Sequence, residues 1–333
     1  MPGKKPKNKK PKSSTVKKAF NSAKPSEGEI SDFLHAAFYN DPPGVAKFLE
    51  KYSSAVNVKD DDGETALIKA ARWGYQEIVE LLLESAAAVD VKGADGETAL
   101  IKAVEYGFKE TVAALLAKNA SVDLGDDRGN TPLMKAAEDG NKDIAEMLLE
   151  KNAGVNARNA DGETALIGAC GGGYGDIVAL LLEKGAAVDA RNAQGATALI
   201  KAAEDGKSNN IVAALLEKGA VPDARDADGY TALMYAAKAG ETEIAVLLLE
   251  KGADMDIKNS DGDTALMIAK EHERLDVQEL LEQRLESQRQ RLAEEKIRKE
   301  EAEARALSDA RIEKLKSQRP SKSLLKKNEP PKP

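Results

Sequence analysis

Few side chains in this chain could do covalent or metal chemistry. The two histidines, His35 and His272, lie far apart, and the one cysteine, Cys170, stands between Ala169 and Gly171. Imidazole serves as general base or metal ligand when partners converge on it at fixed spacing. Two isolated histidines and a thiol among small residues read instead as surface or packing groups. The run Gly171-Gly172-Gly173-Tyr174-Gly175 has the glycine density of a phosphate-cradling loop. It lacks the Gly-Lys-Ser/Thr ending, and no strand pattern precedes it. Gly168, Gly171 and Gly172 instead weaken a helix by about 1 kcal/mol each relative to Ala, marking a soft spot or a point of close approach to the backbone. The many carboxylates read as solvated surface charge. This pattern points away from an enzyme and implies no cofactor and no metal.

The charge is segregated. The formal net charge is −8, yet residues 1–30 carry nine Lys and two Glu, and residues 281–333 carry fifteen Lys/Arg and ten Asp/Glu, leaving −20 on 31–280. Such a body repels nucleic acid and attracts basic segments through a salt-sensitive field. Charged residues make up 32% of the chain and aromatics 4%, which suits helices with small-residue cores better than sheets. No apolar run is long enough to span a bilayer, and no apolar segment follows the Lys-rich start as a secretory signal would require. With one cysteine, no intrachain disulfide forms, so a reducing compartment is expected.

The elements that position these residues repeat. Asp62-Gly63-Glu64-Thr65-Ala66-Leu67 returns as Asp95-Gly96-Glu97-Thr98-Ala99-Leu100, and the glycine recurs at 129, 162, 195, 229 and 262, with spacings of 33, 33, 33, 33, 34 and 33. The extra residue falls in Lys207-Ser208-Asn209-Asn210. In one unit, Asp161-Gly162 forms a turn, and Thr164 caps a short helix from Ala165 to about Gly172. A second helix runs from Asp176 to Lys184, and Gly185 ends it in the left-handed region. Helices this short need neighbours to bury their apolar sides. Stacking supplies them, as a solenoid with nearest-neighbour contacts.

The pattern D-x-x-G-x-T-x-L-x-x-A-x-x-x-G…I-V-x-L-L-L-E-x-G-A resembles the ankyrin repeat over residues 60–283, through seven units. The family's Thr-Pro-Leu-His survives in part: Thr131-Pro132-Leu133 keeps the proline, and Ile or Met stands for the histidine at 68, 101, 134, 167, 200, 234 and 267. The resemblance implies an all-α ankyrin-repeat solenoid of helix-turn-helix units with β-turn fingers, and a concave binding face lined by fingers and first helices. Residues 31–59 read as a degenerate capping repeat. Residues 284–319 read as a charged helix without a heptad seam, supported by pairs such as Glu294–Arg298 and Glu295–Lys299. Residues 1–30 and 320–333 read as disordered tails.

Periodicity locates the exposed side of the first helices. With Leu67, Ala70 and Ala71 buried, Lys69, Arg72 and Trp73 share the opposite side. The same register gives Lys102, Glu105 and Tyr106; Lys135, Glu138 and Asp139; Lys201, Glu204 and Asp205; and Tyr235 with Lys238. Gly168 interrupts the lysine row. Lys102, Lys135 and Lys201 are expected to pair with the Glu three residues on, whereas Lys69 has no such partner. Trp73, the only tryptophan, with Tyr106 one repeat along, is the expected anchor, because Trp and Tyr dominate interface energetics. The fingers add Asp62, Glu64, Asp95, Glu97, Asp161, Glu163 and Tyr230 as groups facing a basic or mixed-charge partner. The expected function is a non-enzymatic protein-interaction scaffold, monomeric and cytoplasmic, without direct nucleic-acid or membrane binding. Lys4-Lys5-Pro6-Lys7-Asn8-Lys9-Lys10 has the form of a nuclear import signal and raises a nuclear regulatory role as the alternative. A tether acting through the C-terminal helix is another.

Overall fold

The computed structural model describes residues 24–206 and 208–317. Expectations for the basic run at 4–10, for the last two residues of the charged helix at 318–319 and for the tail at 320–333 fall outside them. The chain divides into two compact units at Ala198/Leu199, and each is described by itself.

The first unit holds five helix pairs: α1 Glu27–Phe38 and α2 Pro42–Tyr52, α3 Ala66–Arg72 and α4 Gln76–Glu84, α5 Ala99–Glu105 and α6 Lys109–Ala117, α7 Pro132–Glu138 and α8 Lys142–Glu150, α9 Ala165–Gly171 and α10 Gly175–Glu183. First helices pack on first helices and second helices on second helices of the next pair. Ala70 and Ala71, Ala136 and Ala137, and Ala169 and Cys170 are sealed between first helices, while Ile78, Val79, Leu82, Val112, Leu115 and Leu148 fill the second layer. Burial pushes the Cys170 thiol pKa well up, so it is an inert filler. Thr65, Thr98, Thr131 and Thr164 each accept from the backbone N–H three residues on, the capping that the repeat implies.

Polar ladders tie one pair to the next. Side-chain oxygens of Asn57, Asp90, Asp123 and Asn156 accept from the N–H of Ala88, Ser121, Gly154 and Ala187 at 2.7–2.9 Å. At the finger tips, the N–H groups of Asp127, Ala160 and Ala193 donate to the carbonyls of Asp95, Arg128 and Asp161 at 2.7–3.1 Å. Finger backbone that forms no regular strand thus finds its partner one repeat away.

The second unit repeats the plan with α11 Ala198–Asp205 and α12 Asn209–Glu217, α13 Ala232–Ala239 and α14 Thr242–Glu250, and α15 Ala265–Glu271. Helix α16 spans Leu275–Ser317 without a break. The last repeat's second helix and the charged helix are therefore one element: with no Gly or Pro between them, nothing stops the hydrogen-bond ladder. Val277 and Leu281 are buried against the repeats, and from Glu286 onward the described side chains of α16 are exposed. Lys299 pairs with Glu295 at 2.8 Å.

Two expectations shift. The degenerate first unit begins before residue 31, because Ser26 and Glu29 form a reciprocal capping box that starts α1 at Glu27; residues 27–30 are helix rather than tail. The expected pair Glu294–Arg298 is not among the ion pairs along α16. As expected, the glycine run has no strand before it: it is the end of α9, a turn, and the first residue of α10.

Two reciprocal substitutions test the local reading. A Cβ on Gly171 would meet nothing within 4 Å, so Gly171→Ala should raise stability by about 0.5–1 kcal/mol through helix propensity. Ala86 occupies, at φ 61°, the left-handed position that Gly185 fills at φ 84°; Ala86→Gly should stabilise by about 1 kcal/mol. Urea or thermal melts of the full chain check both. A third prediction concerns pH. Hydrogen bonds from Lys51, the Ser26 backbone and Tyr52 lower the Glu29 pKa from 4.5 to about 2. Because the folded value is depressed, its contribution is complete above the unfolded value and is lost as pH falls from about 4.5 toward 2. Melts across that range should show the N-terminal pair weakening in the wild type, with a shallower pH slope in Glu29→Gln.

Candidate functional site

The first helices of the first unit end alike. Trp73 closes α3 and Tyr106 closes α5, each followed by a glycine in the left-handed region, Gly74 at φ 65° and Gly107 at φ 73°. The repeat therefore places the two rings side by side, 6.5 Å between centroids and 22° between planes. Phe38, at the end of α1, meets Trp73 edge-on at 6.0 Å. Tyr39 meets Phe38 at 5.0 Å, and Phe108 lies 6.4 Å from Tyr106. Gly74 makes room for this row: a Cβ there would fall 2.4 Å from the Phe108 ring. Trp73 is 46% exposed and Tyr106 50%. Phe38, Tyr39 and Phe108 were not singled out in the sequence. The signal that could have found Phe108 is the 33-residue step from Tyr75 to Phe108, in parallel with Trp73 to Tyr106.

The lysine row behaves differently from expectation. Lys69 does have partners: its ammonium lies 2.6 Å from Asp60 and 3.1 Å from Glu64, and 5.6 Å from the Phe38 ring centroid. Arg72 pairs with the other oxygen of Glu64. Burial disfavours the charge on Lys69, but hydrogen bonds with Asp60 and Glu64 outweigh it and raise its pKa. Asp60 moves down: burial acts against its charge, and Lys69 with the Glu64 N–H overcomes it. Lys102, only 9% exposed, pairs with Glu97 and, at 3.1 Å, with Glu105; its pKa is raised, the two carboxylates overcoming burial. Glu64 and Glu97 are thus committed to internal pairs and do not face outward, because a lysine lies five residues on. Lys135 makes no ion pair with Glu138; it lines a cleft with Asp95, Glu97, Asp126 and Asp127. Asp139 is exposed, and partial burial of its carboxyl together with neighbouring Glu138 pushes its pKa up. Asp62, Asp95 and Asp161 are exposed at the finger tips.

In the second unit, Lys201 pairs with Glu204 at 2.9 Å, as expected. Asp205 is half-buried. Tyr235 donates to Asp226 at 2.8 Å, and its ring lies 5.2 Å from that of Tyr230. Burial and that carboxylate push its pKa up. Of the candidate residues, Lys69, Arg72, Trp73, Lys102, Tyr106, Lys135 and Asp139 belong to the first unit, and Lys201, Asp205, Tyr230 and Tyr235 to the second.

Among the described residues, no group of three or more His, Cys, Asp or Glu is placed to hold a metal, and no helix is long and apolar enough to cross a membrane. His35 and His272 are both exposed. No curated protein matches the chain. The family model for ankyrin repeats (three copies) matches residues 10–92, 86–159, 152–226 and 202–291. With that match over most of its length, and with capped helix pairs stacked at a 33-residue step, the chain belongs to the ankyrin repeat family.

Proposed function

We propose that the chain is a non-enzymatic scaffold that holds a protein partner on the first-helix face, with Trp73 and Tyr106 as its anchor. The observation that carries this reading is the aromatic row itself. Two half-exposed rings lie in register on adjacent repeats, backed by Phe38 and Phe108. An exposed tryptophan lying over a tyrosine offers large contact area at little entropic cost, and such rings form the energetic centres of interfaces. Lys69 and Arg72 both pair with Glu64 beside the row, so they present a rigid rim rather than mobile charges.

The partner's chemistry follows from what is left free. Exposed carboxylates at Asp61, Asp62, Asp95, Asp127 and Asp161 mark successive finger tips, and the body carries most of the negative charge. A segment with aromatic or aliphatic side chains and basic flanks fits both features. Exposed Leu292, Ile297, Leu307 and Ile312 on α16 do not share one heptad register, which favours a spacer or second docking element over a dimerising tether. The proposed compartment is the cytoplasm.

Affinity capture with the full chain tests this. Trp73→Ala with Tyr106→Ala should reduce partner recovery at least tenfold while the melting temperature stays close to wild type. Tyr174→Ala, a comparably exposed ring away from the row, should leave recovery unchanged. Equal recovery by the double variant would remove the anchor.

A further inference from the structure

Two repeats complete an ion pair that a third begins and leaves open. In two units the glutamate immediately after the finger glycine pairs with the lysine five residues further on, Glu64 with Lys69 and Glu97 with Lys102. Where the first position is neutral, at Asn130 and Ala196, the lysines at 135 and 201 remain, and Lys201 pairs with Glu204 instead. In the unit at 162 the reverse holds: the carboxylate is present as Glu163, and the lysine position is Gly168.

The consequence is visible in the hydrogen bonding. Glu163 Oε1 accepts from Asn192 Nδ2 at 2.7 Å. Glu163 Oε2 is buried and has no hydrogen-bond partner among the described residues. A buried carboxylate oxygen without a partner is costly and calls for an explanation. Nothing in the fold demands glycine at 168. It lies inside α9 with no left-handed backbone, and a Cβ there would meet only Glu138, at 3.9 Å. Gly171, one turn on, is equally open. The helix gives up about 1 kcal/mol at each such glycine relative to Ala, and Gly serves where another chain must approach the backbone closely. Glu138 on α7 lies against this position, and the lysines at the equivalent position one repeat either side are engaged elsewhere, Lys201 with Glu204 and Lys135 in the cleft of Asp95, Asp126 and Asp127. The nearest cation on the same finger, Arg158, donates to the Arg191 carbonyl.

We infer that the face at Gly168 takes a lysine or arginine side chain from the bound partner, its cation meeting Glu163 Oε2 as Lys69 meets Glu64 and Lys102 meets Glu97. This deepens the scaffold reading and rests on it: the partner completes an ion pair that the chain itself completes in the repeats at Gly63 and Gly96. Because Glu163 Oε2 is buried and the carboxylate is held by Asn192, a cation there gains more than one on an exposed finger carboxylate, where solvent screens the pair.

The probe is a set of three fluorescent 12-residue peptide pools, randomised except for a central Lys, Arg or norleucine, titrated against the full chain. The Lys and Arg pools should bind at least tenfold more tightly than the norleucine pool, whose side chain has nearly the same shape without charge. Gly168→Lys supplies the cation from within; it should melt above wild type and lose the preference for Lys and Arg pools. Glu163→Gln should lose the preference too. Trp73→Ala with Tyr106→Ala should weaken all pools while keeping the preference, so a failed anchor and a failed cation site give different results. Equal binding of the three pools to wild type, no binding of any pool, or an undiminished preference in Gly168→Lys or Glu163→Gln would overturn the inference.

Discussion

Helices of seven to nine residues do not stand alone in water, and every other feature of this chain follows from how they are supported. Two turns of helix satisfy few of their own backbone groups and cannot repay the entropy of ordering them. Within each compact unit the support comes from the adjacent pair. Alanines between first helices allow close approach, and branched side chains between second helices supply the buried area. The threonine caps and the ladder of Asn and Asp side chains reaching the next repeat satisfy backbone groups that neither helix nor finger can pair internally. Each repeat is thus completed by its neighbour, both in apolar contact and in hydrogen bonding.

That dependence also organises the surface. A repeated backbone puts equivalent positions in rows, so the identity of a residue matters relative to the same position one repeat away. Trp73 beside Tyr106 becomes a continuous aromatic surface, whereas either ring alone would be one more exposed apolar group. The lysine row reads the same way: Lys69 and Lys102 are structural because a glutamate lies five residues earlier in each unit, and Glu163 stands out because Gly168 does not answer it. Function here amounts to departures from the repeat.

Much of this was legible beforehand. The 33-residue step, the threonine caps, the two-layer burial and the pairing of Lys102 and Lys201 with the glutamate three residues on could be read from local spacing, because each is decided within one unit. What was missed depends on longer reach or on competition between partners. The i,i+3 rule offered Lys69 nothing, yet the finger carboxylates of Asp60 and Glu64 fold back to it. The same fold-back takes Glu64 and Glu97 away from the partner-facing set. Lys135 lies in a cleft lined by Asp126 and its acidic neighbours rather than pairing with Glu138. The start of α1 was placed late because the Ser26–Glu29 box precedes the repeat pattern, and the long helix was divided at a repeat boundary that the backbone ignores.

The most direct test of neighbour-by-neighbour support is a set of distances inside the first unit. Glu77, Glu110, Asp143 and Asp176 are exposed at the same position of α4, α6, α8 and α10. Spin labels on cysteines placed pairwise at these sites, with buried Cys170 replaced by alanine, report separations by pulsed electron resonance. Adjacent packed helices lie about 8–10 Å apart, so stacking requires about 16–20 Å for sites two repeats apart and about 24–30 Å for sites three apart, before label length. Separations that fail to grow with repeat number, as they would if residues 77 and 176 closed around one shared core, would contradict it.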